Sequence, residues 1–458
     1  MTRQKGLEVI IVGCGKVGMA LVERLTAEGH SITMIDSNAS KITQITNLYD
    51  IMGICGNGAS YSLQQEAGIE NADLFIAVTA SDELNLLCCT IASRIGHCAT
   101  IARVRTPDYS KEVNYIREKL GLAMIINPEL EAAREAARIL SLPSALKVSS
   151  FAHGLAEMIR LVVSEDSRLI GKSIVELKKE GITENVLIAA VKRGSEVIIP
   201  NGSTVIRPGD VISFVCSRKL SHVFLSRLGL TSRKVRDCMI VGGGKATYYL
   251  AVQLLARGIG VKIIERDFDR CQELSVMLPH AIVINGDGSD EDVLKEEGIE
   301  TVGAFVALTG IDEENILLTL HAKQVSSAKV ITKINRIGFK DVLTGLDLGS
   351  VVYPRYITCE AIMAYARAKN ASRSNNIETL SYLFDNKAEG IEFRIESESE
   401  CTGKPLMELS LKENLLICCI SRNGQIIIPT GRDTLEVGDS VMVVTTVKGL
   451  GDIRDILK

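Results

Sequence analysis

Short apolar runs alternate along this chain with longer stretches in which apolar residues recur every three or four positions. Val9–Val12 predicts a strand, Lys16–Glu28 a helix stopped by Gly29, and Ser31–Ile35 a second strand. Leu74–Val78 and Thr100–Val104 predict further strands, with Glu83–Ile95 as the helix between them. A helix rich in Ala and Glu follows Pro128 and runs to Leu140. Strands that are apolar almost throughout, separated by helices, predict a parallel sheet covered on both faces.

The pattern then repeats. Val9-Ile-Ile-Val-Gly-Cys-Gly-Lys16 returns as Cys238-Met-Ile-Val-Gly-Gly-Gly-Lys245, and Glu66-Ala-Gly-Ile-Glu70 returns as Glu296-Glu-Gly-Ile-Glu300. Phe75–Thr79 with Asp82, Glu83 and Asn85 returns as Phe305–Thr309 with Asp312, Glu313 and Asn315, at a spacing of 229 to 230 residues. A smaller unit repeats too: Asn185–Arg193 matches Asn414–Arg422, Ile199-Pro-Asn-Gly202 matches Ile428-Pro-Thr-Gly431, and Gly209-Asp210 matches Gly438-Asp439. In the first small unit Gly171–Glu180 predicts a helix. Arg193-Gly194-Ser195 and Asn423-Gly424 predict hairpin turns, which need residues tolerant of positive φ.

The fold class that follows is α/β: two Rossmann-like doubly wound parallel-sheet domains, each followed by a small α+β domain. The expected boundaries are 1–144, 145–230, 231–373 and 374–458. A length of 458 residues suits three or four domains.

Composition narrows the function. Formal net charge is −4, with no Lys/Arg-rich block, so the basic stripe of a nucleic-acid binder is missing. Mean hydropathy is +0.19, but the apolar runs are strand-sized, well short of the roughly 20 residues a bilayer crossing needs. Met1–Gly6 leads directly into a strand, which predicts no secretory signal and a cytosolic protein. The twelve cysteines include no C-x-x-C pair and read as small buried hydrophobes. The six histidines are scattered, and no nucleophile elbow, H-E-x-x-H or P-loop occurs, so no metal site and no self-contained enzyme is expected.

The candidate chemistry is nucleotide binding. Gly13-Cys14-Gly15-Lys16-Val17-Gly18 follows a strand and opens a helix. Its first two glycines allow a tight turn and a close approach to a pyrophosphate, and the third allows close helix–strand packing. Asp36, 18 residues after Gly18, ends the next strand, where a carboxylate accepts ribose hydroxyls and repels a 2′-phosphate. NAD or an adenosine nucleotide is thus favoured over NADP; a unit that has lost its ligand is the bland alternative. The second copy reads Gly242-Gly243-Gly244-Lys245-Ala246-Thr247 with Glu265, and the β-branched Thr247 is expected to loosen helix packing and weaken that site.

Thr79-Ala80-Ser81-Asp82 and Thr309-Gly310-Ile311-Asp312 follow strands at the ligand-binding edge of the sheet. They also have the [ST]-x-x-[DE] spacing of a capping box. Arg103, with Lys333 at the matching position, is placed either to meet phosphates or to make a surface salt bridge.

Together with Gly56-Asn-Gly58 and Gly286-Asp-Gly288, the Thr79/Asp82/Asn85 set, and Ala102-Arg-Val-Arg105 before Pro107-Asp-Tyr109, these motifs resemble the regulatory subunits of Trk potassium-uptake systems. The resemblance covers essentially the full length. It implies tandem RCK-type domains that form rings, a homo-tetramer by preference, under a Trk-type membrane potassium transporter. The chain would then be peripheral at the inner face of the membrane and gate its partner through nucleotide-dependent ring conformations. It implies NAD(H), or alternatively ATP/ADP, held by Gly13 to Val17, Asp36, Thr79, Ala80 and Arg103. The second site would comprise Gly242 to Ala246, Glu265, Thr309 and Gly310. Two rivals stay open: a nicotinamide-dependent oxidoreductase, and a structural assembly protein with relic sites.

Overall fold

The computed structural model describes residues 6–142, 144–230, 235–335, 343, 345–370, 376–384 and 386–458, with positions 153 and 368 described by backbone alone. The expected edges at 230/231 and 373/374 fall against residues outside this set.

In the first large half, the strands Glu8–Val12, Ser31–Asp36, Met52–Cys55, Leu74–Ala77, Ala99–Arg103 and Met124–Ile126 form one parallel sheet. Their spatial order is third, second, first, fourth, fifth, sixth. The second large half repeats that order with Asp237–Val241, Gly260–Glu265, Ile282–Asn285, Ala304–Ala307, Lys329–Lys333 and Ser350–Val352. The central strands are buried at nearly every position, as strands covered on both faces must be. Between the first and fourth strands the winding reverses, and the crevice beyond their carboxyl ends is where such sheets take ligands.

Helices flank each sheet. Lys16–Ala27 turns Val17, Ala20, Leu21 and Leu25 inward. It stops because Gly29, at φ +84°, lets the chain turn back, and the Gly29 and His30 N–H groups satisfy the carbonyls of Thr26 and Leu25.

Each small half is an antiparallel five-stranded sheet. Lys147–Phe151, Ala156–Val162, Val186–Arg193, Glu196–Ile198 and Val211–Ser217 lie in the order fourth, third, fifth, second, first. Ile377–Leu383, Ala388–Arg394, Leu415–Arg422, Gln425–Ile427 and Ser440–Thr445 repeat it. The expected hairpins are present, with Gly194, Asn423 and Gly424 at positive φ. The expected helix in Gly171–Glu180 is shorter, Ile174–Lys179, behind a capping box made by Ser173 and Glu176. The repeated Gly-Asp turns also gain a purpose. Arg193 Nε and Nη2 donate to the two carboxylate oxygens of Asp210 at 2.9 and 2.8 Å, and Arg422 grips Asp439 in the same way at 2.8 and 2.8 Å.

By contact, like associates with like. One compact unit falls within Met1–Ala137 and Val235–Ala366 and contains both large halves; the other falls within Arg138–Lys234 and Arg367–Lys458 and contains both small halves. Within the small unit, Phe151, Met158, Ala190, Leu383, Cys418 and Met442 share one core, and Ala152 N–H donates to Glu392 Oε1 at 2.7 Å. Ten of the twelve cysteines are buried, as expected of small hydrophobes. Among the described residues, no helix is long and apolar enough to cross a membrane.

Candidate nucleotide-binding site

The loop from Gly13 to Gly18 joins the first strand to its helix. Gly13 has φ +106°, and a Cβ there would stand 2.9 Å from the Thr79 nitrogen, so only glycine allows the loop to lie against the Thr79 turn. A Cβ on Gly18 would meet the Gly13 carbonyl oxygen at 2.0 Å. No side chain caps the helix that begins at Lys16, which leaves its first N–H groups available to an anion. Asp36 holds the loop from the neighbouring strand: its Oδ2 accepts from Cys14 N–H at 2.6 Å and its Oδ1 from Asn38 N–H at 2.8 Å. Each carboxylate oxygen retains a second lone pair for a ribose hydroxyl. Burial and the Asp36 charge push the Cys14 thiol upward, so it stays neutral.

The Thr79 turn is built differently from the expected capping box. The helix begins at Asp82, one residue after Ser81, and Ser81 is its cap, with Oγ accepting from Leu84 N–H at 3.1 Å. Thr79 lies two residues too early to cap. Its N–H and Oγ1–H both donate to Asn85 Oδ1, at 2.8 and 2.7 Å, and Asn85 Nδ2 donates to the Arg103 carbonyl at 2.9 Å. Asp82 instead ties down the end of the fifth strand, accepting from Arg105 N–H, Thr106 N–H and Thr106 Oγ1–H at 2.9, 2.8 and 2.7 Å. Burial acts to raise the Asp82 carboxyl, but these hydrogen bonds, with Lys245 nearby, outweigh it and hold it below the usual carboxylate value. Arg103 reaches back to the Thr79 carbonyl through Nη2, while its Nε is buried without a partner. Burial and the charge of Arg105 draw its pKa down, yet a guanidinium stays charged near neutrality.

These pieces enclose a cleft of about 690 Å³. Gly13, Gly15, Lys16, Val17, Asp36, Thr79, Ala80 and Arg103 all line it; Cys14 and Gly18 support the loop from outside the lining. Sequence reasoning missed Lys41, Asn57 and Glu129, and also Asn335, Pro354 and Arg355, which come from the second large half. A signal existed in the matching Asn-Pro-Glu and Tyr-Pro-Arg that open the last helix of each half.

The second loop has nearly the same shape: Gly242 has φ +100°, and the cap residues Gly15 and Gly244 differ little in φ and ψ. Thr247 is fully buried, and its hydroxyl donates to the Gly242 carbonyl. Glu265 Oε2 accepts from Gly243 N–H at 2.5 Å, and Arg270 Nε donates to the Gly243 carbonyl at 2.7 Å. This cleft is about 320 Å³, lined by Gly242, Gly243, Gly244, Glu265, Thr309 and Gly310, with Lys333. Lys245 and Ala246 are not in its lining. Lys245 Nζ instead donates to Thr106 Oγ1 of the first half at 3.1 Å, and Tyr249 Oη donates to the Arg105 carbonyl at 2.9 Å. Lys333 Nζ donates to the Leu308 carbonyl at 3.0 Å; burial draws its pKa down while Glu129 and Asp312 act to raise it. The clefts of the two halves are therefore electrostatic neighbours.

Comparison with known proteins agrees with this construction. The TrkA-N domain matches residues 9–128 and 238–354, and the TrkA-C domain matches 158–229 and 391–458. The chain is 31% identical to the Trk system potassium uptake protein TrkA homolog of Archaeoglobus fulgidus over 453 residues, covering 99% of this chain and 100% of that protein. Among solved structures, the GsuK channel bound to NAD is similar at a TM-score of 0.64 and 17% identity, over 98% of this chain and 78% of that one. GsuK bound to ADP is similar at 0.51 and 14%, over 79% and 69%. With both domain types matched twice in alternation, this chain belongs to the TrkA family as a tandem of TrkA-N and TrkA-C domains.

Proposed function

We propose that this chain is a cytosolic regulatory subunit of a Trk-type membrane potassium transporter, which binds NAD(H) or ATP/ADP in the first cleft without transforming it. The observation that carries this is the first cleft itself. A glycine loop, an open helix N-terminus, Asp36 and Arg103 converge in one large half, and Asn335, Pro354 and Arg355 of the other complete the wall. A ligand there touches both halves. It biases their arrangement by as much as its affinity differs between arrangements, and no chemical step is required. The potassium-uptake name of the relative and the NAD and ADP in the GsuK structures support the transporter and ligand classes.

In this reading the four-domain division at 1–144, 145–230, 231–373 and 374–458 stands, and several chains form a ring, a homo-tetramer by preference, at the inner face of the membrane. The residues that hold nucleotide are those of the first lining, with Gly242, Gly243, Gly244, Glu265, Thr309 and Gly310 forming a weaker second site.

The test is to incubate purified protein with NADH, ATP or ADP and measure both binding and turnover. Saturable binding with the nucleotide recovered intact is the expected result. Sustained NADH oxidation that disappears in Asp36→Ala would make the protein an oxidoreductase. Absence of any binding would favour a structural assembly role.

A further inference from the structure

Arg355 lines the first cleft although it belongs to the second large half. It is the second residue of helix Pro354–Asn370, directly after the last strand of its sheet. The repeat places Glu129 at the equivalent point, second in helix Pro128–Ser141, and Glu129 lines the same cleft. Equivalent positions thus bring opposite charges to one site. Glu129 has a cation nearby, with Arg105 Nη1 3.8 Å from its Oε1. Arg355 is half-buried, and its Nε is buried with no hydrogen-bond partner. A buried donor without an acceptor is costly, and an anionic ligand would supply what it lacks.

The charge around it points the same way. Lys16, Lys41, Arg103 and Arg355 line the cleft against Asp36 and Glu129, leaving a cationic surplus beside the open helix N-terminus. A planar guanidinium matches phosphate oxygens two at a time. NADH offers only two internal phosphodiester charges, whereas ADP and ATP carry a terminal phosphate whose oxygens a second cation can reach.

Resting on the nucleotide-binding reading, we infer that Arg355 is a specificity-determining residue of the first site. From the second half it binds the terminal phosphate of an adenosine di- or triphosphate and makes the site favour ligands with more phosphate charge. It also ties the ligand to both halves, so phosphate occupancy resists their separation. A guanidinium that only packs is the competing role, since Arg355 also acts electrostatically on Tyr49 and Tyr356.

The experiment titrates NADH, ADP and ATP into the intact chain and into Arg355→Glu, Arg355→Gln and Asp36→Ala, with thermal unfolding recorded without nucleotide. The expected result is a loss of about tenfold to a hundredfold in ATP affinity for Arg355→Glu, as for one charge-assisted hydrogen bond. The loss should be smaller for Arg355→Gln and within about threefold for NADH in both. Unchanged ATP affinity, or an equal loss for NADH and ATP, would overturn the assignment, and the milder Arg355→Gln decides it if Arg355→Glu does not fold. Failure of the underlying reading is distinguishable, because then the unmodified chain binds none of the three, or Asp36→Ala binds them as well as it does.

Discussion

The two large halves share a sheet order, a glycine loop and a carboxylate at the end of the second strand, yet their clefts measure about 690 and 320 Å³. Their charge differs as well. Among the described residues the first lining carries four cationic side chains against two carboxylates. The second carries Arg266 and Lys333 against Glu265, Asp287 and Glu314. The loops themselves account for little of this, since the glycines keep their dihedral angles and Thr247 is accommodated through a hydrogen bond to Gly242. The difference comes from what surrounds each loop. The first cleft gains a wall from the other half, while the second loop's lysine is committed to Thr106 of the other half. After duplication, a motif can persist while its neighbourhood decides whether it serves a ligand.

Prising the first loop open is a direct way to break the comparison. In Gly13→Ala the residue is held at φ +106° and its new Cβ would stand 2.9 Å from the Thr79 nitrogen, so the loop must open and its N–H groups shift. Loss of one charge-assisted hydrogen bond weakens nucleotide binding by about tenfold to a hundredfold, readable by calorimetry. Unchanged affinity would show that loop closure does not matter.

A smaller effect is expected at Asp82, which organises the end of the strand that carries Arg103. Asp82→Ala removes the acceptor for Arg105 and Thr106 and should cost about 1–3 kcal/mol of stability at neutral pH. Because its folded-state pKa is depressed, that stabilisation is fully present above the unfolded carboxylate value, near pH 4. It is lost as pH falls below that through the folded-state pKa. Denaturation of both proteins from pH 7 to pH 3 checks this: the gap should narrow only at the acid end.

The smallest effect concerns the second cleft. Glu314→Gln removes one of its three carboxylates and should tighten any nucleotide binding there by a few-fold, less at high salt. No gain at low salt would mean that charge is not what disfavours that cleft.

Much of this was legible in the sequence. The repeat, the main strands and the loop–Asp36 pairing all followed from periodicity and glycine placement. The third strand, Met52–Cys55, was not legible, because it is four residues long, contains Gly53 and exposes Met52 and Cys55. The role of Thr79 was misleading, since spacing alone cannot tell a cap from a turn tied to Asn85. Arg355 escaped assignment to the first cleft for a deeper reason: the repeat marks its helix start, but it is remote in sequence and comes from the other half. Only the packing of large half against large half shows that these residues share a wall, and strand–helix periodicity carries no information on that packing.

The most direct test is calorimetric titration of NADH and ATP into the intact chain, Asp36→Ala and Glu265→Ala, side by side. The expected result is a tight phase that Asp36→Ala abolishes or weakens by about a hundredfold or more, as for two charge-assisted hydrogen bonds, and that Glu265→Ala leaves in place. A tight phase that survives Asp36→Ala and vanishes in Glu265→Ala would contradict the assignment of the first cleft as the principal site.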